Sequence, residues 1–435
     1  MRTQAIKSIL VVESFKQQLL CWADSFGEVV VLDSNVIANE KALYSSYDFI
    51  VAVDAFTSLK TDYVNSFKEL YQYQNQTKDW LFGTISYDTK NAIESLSSTN
   101  QDGLEFPDLF FFQPKKLFLI KGSELEIQYL RMCDDEIESD FEAIQNQNGS
   151  DLSTSVSQTK NTIQQRISFE KYLEKTEQFL KAIHRGEIYE ANFCMEFFAD
   201  NADIEPLHVF QRLNAISKAP FAVYYKRNSQ YLLSASPERF LKKIGSKLIS
   251  QPIKGTSKRF SDPVLDEKAK KNLALDPKER SENIMIVDLV RNDMSKTATK
   301  GSVQVEELCE VYSYKQVHQM VSTIVSEVEA HLSSVSVIQS CFPMGSMTGA
   351  PKISAMEIIE QLEETKRGLY SGSVGYFTPS GDFDFNVVIR SIMYNELNKY
   401  LSFSVGSAIT AESIPENEYN ECLLKAKAMF DVLEN

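Results

Sequence analysis

Residues 373–405 read SVGYFTPSGDFDFNVVIRSIMYNELNKYLSFSV, and this stretch decides the fold class. It contains three apolar runs that predict strands, at residues 373–378, 385–394 and 400–405. The first two runs are joined by PSGD at residues 379–382, a composition typical of a tight turn. Strands joined by connections this short pair antiparallel, so the stretch predicts an antiparallel sheet.

The same alternation of strands and helices extends over the rest of the C-terminal part. Further strands are predicted at residues 221–226, 231–235 and 248–253, and helices at 168–186, 278–297, 351–366 and 416–433. Ser168 is a candidate N-cap, Pro351 a candidate first helical residue, and Gly368 a candidate helix stop. Together these elements predict an α+β fold built on antiparallel sheet.

The N-terminal part also predicts an α+β layer, with strands at residues 9–12, 29–32, 49–53, 80–87 and 109–112. Residues 145–166 read QNQNGSDLSTSVSQTKNTIQQR, which is polar and shows neither helical nor strand periodicity. We therefore predict an N-terminal subdomain over 1–145, a linker or mobile loop over 146–165, and a second domain over 166–435.

Composition restricts the classes of function. The 435 residues carry a formal net charge of -15, which argues against general binding to nucleic acid or to anionic membranes. A locally positive pocket for a small anion remains compatible with that charge. The apolar runs are shorter than the roughly 18 residues of a membrane span, and the N-terminal one, which ends at Glu13, is too short for a signal peptide. We expect a cytoplasmic protein.

Cysteine and histidine spacing gives no transition-metal pattern. The six cysteines include no CxxC pair, and the four histidines include no HxH or HxxxH pair. We expect reduced and mostly buried thiols. A hard cation held by carboxylates stays open.

Four segments could carry chemistry, and each has a structural alternative. Glu418, Glu421 and Lys425 share one helix face. This face is either part of a functional site or a solvated charged stripe. They follow a small-residue turn, residues 404–408, whose amides could approach an anion. Glu282 is a candidate metal ligand at the entrance of an apolar helix that also carries Asp288, Arg291 and Asp293, for which structural pairing is the alternative.

The other two segments are a loop and a strand end. Residues 343–352, PMGSMTGAPK, form either an anion site or a plain helix-capping loop. Lys254 lies at the end of a strand, before Gly255. There it is either a nucleophile or base, or an ordinary surface charge.

Taken in order, these motifs resemble the chorismate-utilising enzymes, which include anthranilate, aminodeoxychorismate, isochorismate and salicylate synthases. The resemblance covers essentially all of residues 166–435. It rests on SPERF (236–240), PIKGT (252–256), ENIMIVDLVRND (282–293), SMTGAPK (346–352), NVVIR (386–390) and EYNE (418–421) ahead of Lys425. Residues 83–88, GTISYD, also look like the N-terminal part of the first two groups. The fold that this implies is a sandwich of large antiparallel β-sheets with helices packed outside.

Lys254 favours one activity within the family. The segment typically reads PIAGT in anthranilate synthases and PIKGT in aminodeoxychorismate synthases, and this chain has the lysine. The resemblance implies that Lys254 attacks C2 of chorismate as the C4 hydroxyl leaves, and that ammonia then attacks C4 and expels the lysine. Anthranilate synthase, and isochorismate or salicylate synthase, stay as alternatives. A catalytically inactive binding subunit is disfavoured, because Glu238, Lys254, Glu282 and Glu421 are all present.

The resemblance also implies roles for the other site residues. Glu238 is the expected general acid, and Glu282 and Glu421, with Glu418 nearby, are the expected Mg²⁺ ligands. Arg390 and Tyr376 are expected to hold a substrate carboxylate. The rest of the expected pocket consists of Gly255, Thr256, Thr348, Gly406, Ser407, Ala408 and Lys425.

Two positions depart from the family pattern. Gln319 stands where a histidine is common, with His318 one residue earlier. Glu190 stands where amine-transferring members usually have glutamine and water-using members lysine. We find no room for a second catalytic region with a cysteine nucleophile. The expected ammonia source is therefore a separate glutamine amidotransferase subunit, in a heterodimer.

Overall fold

The computed structural model describes residues 2–35, 44–147, 161–315 and 317–434. The strands are β1 (Arg2–Ser8), β2 (Glu28–Asp33), β3 (Phe49–Thr61), β4 (Leu81–Ile85), β5 (Leu109–Lys121), β6 (Glu124–Leu130), β7 (Gln164–Gln165), β8 (Glu190–Ala199), β9 (Phe221–Arg227), β10 (Gln230–Ser236), β11 (Arg239–Ile244), β12 (Lys247–Gln251), β13 (Ile253–Lys258), β14 (Gln304–Ser313), β15 (Val317–Glu327), β16 (Gly349–Ala350), β17 (Ser373–Phe377), β18 (Phe383–Asn386), β19 (Ser391–Asn395) and β20 (Tyr400–Thr410). The helices are α1 (Val12–Ala23), α2 (Ser66–Thr77), α3 (Lys90–Ile93), α4 (Ile137–Gln145), α5 (Phe169–His184), α6 (Pro206–Ser217), α7 (Pro263–Leu275), α8 (Pro277–Ser295), α9 (Ser334–Cys341), α10 (Lys352–Leu362) and α11 (Pro415–Leu433).

The strands form two antiparallel sheets. In the first sheet the order is β1-β6-β5-β3-β2-β9-β10-β19-β20-β8, and the short strands β7 and β16 lie beside β8. In the second sheet the order is β5-β4-β17-β18-β11-β12-β15-β14, and β13 also pairs with β15.

Two long strands, β3 and β5, run through both sheets. Residues 116–121 of β5 pair with β6 in the first sheet, and residues 109–112 pair with β4 in the second. Between these halves the register of β3 against β5 shifts at Ala55 and Thr57. A bulge of this kind bends a strand pair and lets it change sheets. The two sheets are therefore joined covalently and by hydrogen bonds along one edge.

Alternating side chains separate the two hydrophobic cores. Along β2, Val30 faces the core between the sheets, whereas Val29 and Val31 face a second core under the helices. That second core includes buried residues of α1, α4, α5, α6 and α11. The arrangement is a sandwich with helices packed outside, and it confirms the expected fold class.

Most predicted elements agree with the structure in type. Ser168 caps α5 by accepting from the backbone N–H of Lys171, as expected. The strand predicted at residues 9–12 is wrong, because β1 ends at Ser8 and α1 begins at Val12. The strand predicted at 385–394 is two strands, β18 and β19. Gly368 does not stop a helix, since α10 ends at Leu362.

Strands from both sides of the predicted linker share the sheets. β2 pairs with β9, and β4 pairs with β17. Residues 148–160, most of the predicted linker, lie outside the described residues. No helix in the described ranges is long and apolar enough to cross a membrane.

Gly83 of β4 and Gly375 of β17 form one register pair, and each must be glycine because the backbone of its other neighbouring strand, β5 or β18, approaches closely. A Cβ on Gly83 would lie 2.0 Å from the carbonyl oxygen of Phe110 and 2.7 Å from the Cα of Phe111. Both are backbone atoms, which cannot move without breaking the sheet.

We predict that Gly83→Ala lowers the free energy of unfolding by roughly 3 kcal/mol or more, measured by urea denaturation. Gly27→Ala is the matched control, because a Cβ there meets only the side-chain oxygen of Asn228, at 3.3 Å. Equal stability of the two variants would contradict the steric argument.

Candidate active site

The candidate site lies between the two sheets. Glu190 begins β8 of the first sheet, Arg390 precedes β19 of the same sheet, Glu238 directly precedes β11 of the second, and Lys254 lies on β13. Helix α8 adds Glu282 beside β13, and the Asn283 amide holds the helix there by donating to the Lys254 carbonyl at 3.5 Å. The structure brings the predicted acid (Glu238), lysine (Lys254), arginine (Arg390) and carboxylate (Glu282) together. Their charges are close enough to shift one another's pKa values.

Glu238 is a buried carboxyl positioned by two serines. Its backbone N–H donates to Ser236 Oγ at 3.2 Å, and its Oε1 accepts from Ser346 Oγ at 2.6 Å. Burial raises the pKa of Glu238 to about 7, although the Ser346 hydrogen bond and the charges of Lys254 and Arg390 oppose the rise. A large fraction of the group is therefore protonated near neutral pH, as a general acid requires.

Lys254 is held by one carboxylate. Its Nζ lies 3.0 Å from Oε1 of Glu190, and its side chain is 12% exposed. Burial by itself lowers the pKa of Lys254, but the carboxylates of Glu190 and Glu282 outweigh burial and keep the pKa above the ordinary value for lysine. The alternative reading of Lys254 as a surface charge is thus wrong.

Arg390 offers an unused guanidinium. Among the described residues, no group accepts a hydrogen bond from its side chain and no carboxylate lies within ion-pair distance. Burial lowers the pKa of Arg390, and the nearby Glu238 opposes this effect. A partly buried arginine without an anionic partner suits a bidentate carboxylate ligand.

Tyr376 is not part of this group. Its ring packs 5.6 Å from the rings of both Trp80 and Phe82, and it lines a separate cavity of about 550 Å³ together with Asp384. β17 directs this side chain against Trp80 and Phe82, and within the described ranges no hydrogen bond joins it to Arg390, so the structure does not bring the two together as expected. Tyr370 lies beside an expected pocket residue. Its hydroxyl is 3.8 Å from Sγ of Cys194, and Cys194 pairs with Gly406 across β8 and β20.

Residues 404–408 form no turn, because they lie within β20 and pair along β8. Gly406 is required there: an added Cβ would lie 2.7 Å from Cys194 Sγ and 2.9 Å from the Phe193 carbonyl oxygen. Lys425 reaches the same point from α11 and donates to the Gly406 carbonyl at 2.8 Å. The Ser407 hydroxyl is 3.1 Å from the Tyr172 hydroxyl. Gly406, Ser407, Ala408 and Lys425 are thus neighbours.

The expected metal ligands face each other from α8 and α11. Lys278 Nζ lies 3.8 Å from a carboxylate oxygen of Glu282 and 3.9 Å from one of Glu418. Glu421 pairs with Lys425 at 2.7 Å. Burial raises the pKa of Glu282 to about 7; Lys254 opposes the rise and Glu279, which the sequence reading missed, adds to it.

This carboxylate cluster (Glu279, Glu282, Glu418 and Glu421) has the oxygen donors and excess negative charge that a hard cation requires, and Lys278 lies at its edge. Within the described ranges, however, no three acidic, histidine or cysteine side chains are arranged as a ready metal site. The donor chemistry fits Mg²⁺, and the ligand roles stay a prediction.

Gly255 and Thr256 continue β13 past Lys254. Gly255 has a φ of 91°, and a Cβ would lie 3.0 Å from Glu279 Oε2, so glycine is favoured on both grounds. Thr256 pairs with Gln319, whose buried Oε1 accepts no hydrogen bond from the residues that the structure describes. His318 instead contacts Ser313 and Asp266, so it is directed away from Lys254.

Most of the loop before α10 is held by contacts within the protein. The Thr348 hydroxyl is buried and lies 3.2 Å from the Gly345 carbonyl oxygen, while Lys352 donates to the Pro343 carbonyl at 2.9 Å. Lys352 also pairs with Asp293. These contacts favour the capping alternative over an anion site, and a catalytic role for Thr348 stays a prediction.

On the helix carrying Glu282, Asp288 and Arg291 pair with each other at 2.7 Å. The structure therefore shows the structural ion pair that was the alternative to a functional role for these two residues.

The raised pKa of Glu238 makes stability fall with rising pH. The folded state binds its proton more tightly than the unfolded state, so this stabilisation is complete below the ordinary glutamate pKa and disappears as pH rises through about 7. We predict that Glu238→Gln reduces the loss of unfolding free energy between about pH 5 and about pH 8 by roughly 3 kcal/mol.

The measurement is urea denaturation at a series of pH values. Glu267→Gln is the control, since the Glu267 side chain is 58% exposed. Some pH dependence should persist in Glu238→Gln, because Glu282 acts in the same direction. Parallel curves for Glu238→Gln and the wild type would refute the assignment.

Sequence comparisons identify several relatives of this chain. The chain is 33% identical over 380 residues to an anthranilate synthase component I-like protein of Synechocystis sp., covering 85% of this chain and 76% of that protein. It is 38% identical over 271 residues to aminodeoxychorismate synthase component 1 of Escherichia coli, and 41% identical over 275 residues to the chloroplastic aminodeoxychorismate synthase of Arabidopsis thaliana. Each of these two matches covers 62% of this chain, but only 59% and 30% of the respective relative.

Solved structures share the fold. Anthranilate synthase component I from Streptococcus pneumoniae superposes with a TM-score of 0.78 at 22% identity, covering 91% of this chain and 95% of that one. MenF, the menaquinone-specific isochorismate synthase of Escherichia coli, superposes with a TM-score of 0.77 at 16% identity, covering 100% and 95%. A family model described as chorismate binding enzyme matches residues 30–431. The chain therefore belongs to the chorismate-binding enzyme family.

Proposed function

We propose that this chain converts chorismate and ammonia to 4-amino-4-deoxychorismate. The observation that carries the proposal is Lys254, a mostly buried lysine that pairs with Glu190 at 3.0 Å and lies close enough to Glu238 for the charge of that carboxyl to affect it. The activity replaces the C4 hydroxyl by an amine without a net shift of the ring alkenes. Two successive allylic displacements achieve this, and the first needs a nucleophile from the protein.

Each residue has a defined task in this scheme. Lys254 attacks C2 while Glu238 protonates the departing C4 hydroxyl, which leaves as water. Ammonia then attacks C4, the alkenes shift back, and the bond from C2 to Lys254 breaks. Arg390 holds a substrate carboxylate throughout, because its guanidinium has no partner among the residues that the structure describes.

A magnesium ion fits the same scheme. Glu282 and Glu421, with Glu418, would hold it, and when bound it supplies positive charge that stabilises the ring carboxylate. The names of the aminodeoxychorismate synthase relatives support the substrate and product. We propose that ammonia comes from a separate glutamine amidotransferase subunit, and that free ammonium replaces this partner in vitro.

Lys254→Ala separates the proposed activity from that of anthranilate synthase. With chorismate, Mg²⁺ and excess ammonium, we expect the wild type to form aminodeoxychorismate and the variant to lose it by about a thousandfold, because alanine cannot form the C2 adduct. Products are identified by liquid chromatography with mass detection. Lys271→Ala is the control, as the Lys271 side chain is 70% exposed.

Other products would redirect the assignment. Fluorescent anthranilate from the wild type, unaffected by Lys254→Ala, would replace the proposal by anthranilate synthase. Isochorismate or salicylate would show that the site activates water.

Glu282→Gln tests the metal role. We expect Mg²⁺ to bind about tenfold or more weakly by isothermal titration calorimetry, because an amide oxygen carries no charge. Glu329→Gln is the control, since the Glu329 side chain is 45% exposed. Unchanged affinity would exclude Glu282 as a ligand.

A further inference from the structure

Glu190 makes an unusual contact for a buried carboxylate. It is 1% exposed, and its Oε1 accepts a hydrogen bond from Lys254 Nζ at 3.0 Å. Its Oε2 is also buried, and no group among the described residues donates a hydrogen bond to it. Buried carboxylates are normally satisfied by several donors, because each unmade hydrogen bond carries the full cost of desolvation.

This arrangement favours proton exchange within the pair. Lys254 Nζ and Glu190 Oε1 are 3.0 Å apart, so a proton can pass directly along the hydrogen bond that joins them. The pair of lysine ammonium and glutamate carboxylate has no net charge, and neither does the pair of neutral amine and carboxylic acid. Moving the proton from Nζ to Glu190 therefore adds no net charge to the buried site.

We propose that Glu190 is the proton acceptor that frees the lone pair of Lys254 for attack on the substrate, an assignment that rests on the proposed function. In the first displacement a proton passes from Lys254 Nζ to Glu190, and Nζ forms a bond to C2. The ring alkenes shift, the bond from C4 to oxygen breaks, and the proton of Glu238 completes water. The adduct nitrogen keeps two protons and a positive charge.

The second displacement restores every group. Ammonia forms a bond to C4, the alkenes return, and Lys254 leaves C2 as a neutral amine. Glu190 returns its proton to Lys254, and the new C4 ammonium gives one proton to the carboxylate of Glu238. The net change is chorismate plus ammonia to aminodeoxychorismate plus water, with no proton lost to solvent.

The groups around the pair determine what its removal should do. Lys254 faces Glu190 from β13, Glu282 approaches from α8, and Glu238 lies before β11. In Glu190→Gln the pair has no internal acceptor, so the lysine must lose its proton to solvent. Glu282 and Glu238 still favour the protonated lysine, which makes this loss unfavourable at neutral pH.

The test is the pH profile of kcat for Glu190→Gln at saturating chorismate and Mg²⁺, with the concentration of neutral ammonia held constant. We expect kcat to fall by about tenfold to a hundredfold at neutral pH and to recover as pH rises, while KM for chorismate changes by less than about twofold. Glu190→Asp, which keeps a carboxylate, should retain a profile like that of the wild type. Glu187→Gln is the control, because Glu187 pairs with Arg185 at the surface.

A second readout does not need the reaction. Acetic anhydride modifies neutral amines, so labelling of Lys254 relative to the exposed Lys271, read by peptide mass, reports how firmly Lys254 holds its proton. Because Glu190 takes the proton as the amine attacks, we expect Lys254 to react severalfold more slowly at neutral pH in Glu190→Gln than in the wild type; faster labelling in the variant would show that Glu190 only stabilises the ammonium and would overturn the inference. Equal labelling would show that the pair does not control the proton, and would overturn the inference whatever the enzyme makes.

The two proposals fail in different ways. Parallel pH profiles of an active wild type and an active Glu190→Gln would remove the role of Glu190 and leave the proposed function intact. A wild type that makes no aminodeoxychorismate would remove the proposed function, and the displacement step with it.

Discussion

The ladder between β3 and β5 is the constraint on which the rest of the molecule depends. Eleven residue pairs join these strands, and the bulge between Ala55 and Thr57 lets them belong to both sheets. Because one edge of the sandwich is closed in this way, the sheets keep a fixed relation. Glu190 from the first sheet and Lys254 from the second can then meet at 3.0 Å. Neither sheet alone contains both members of the pair.

Electrostatics explains how an acidic chain can bind an anionic substrate. The net charge of -15 is a property of the whole chain, whereas the site holds Lys254 and Arg390 in partial burial. Burial weakens screening by water, so a few fixed charges outweigh the distant surface. Arg390 has lost hydration without gaining a partner from the described part of the chain, and a bound carboxylate would offset that cost.

Prediction of the site residues from the sequence succeeded where the residues belong to motifs that follow one another in a fixed order. Glu238, Lys254, Glu282 and Arg390 come from separate motifs, and the structure places them together. It failed where local composition was ambiguous. The apolar residues 9–12 suit a strand or the start of a helix, and the small residues 404–408 suit a turn or the close packing of β20 on β8.

Side-chain direction was a further limit. Tyr376 and Tyr370 are six residues apart, and only the pairing of β17 with β4 shows that Tyr376 faces Trp80 and Phe82. The partner of Lys254 was likewise unpredictable, because Glu190 is 64 residues away and departs from the family pattern. Long-range pairings of this kind depend on sheet register, which local sequence does not specify.

The distribution of charge separates binding from chemistry. In the proposed scheme the two carboxylates of chorismate have separate partners, which are Arg390 and a cation held by the carboxylate cluster. Lys254 is not needed for either task, because its charge is already balanced by Glu190. A lysine that held a substrate carboxylate would be stabilised as an ammonium and would lose its nucleophilic lone pair. Glu190 also stabilises Lys254 as an ammonium, but in the proposed mechanism it differs from a substrate carboxylate because it is a fixed group of the protein that takes the proton as the amine attacks.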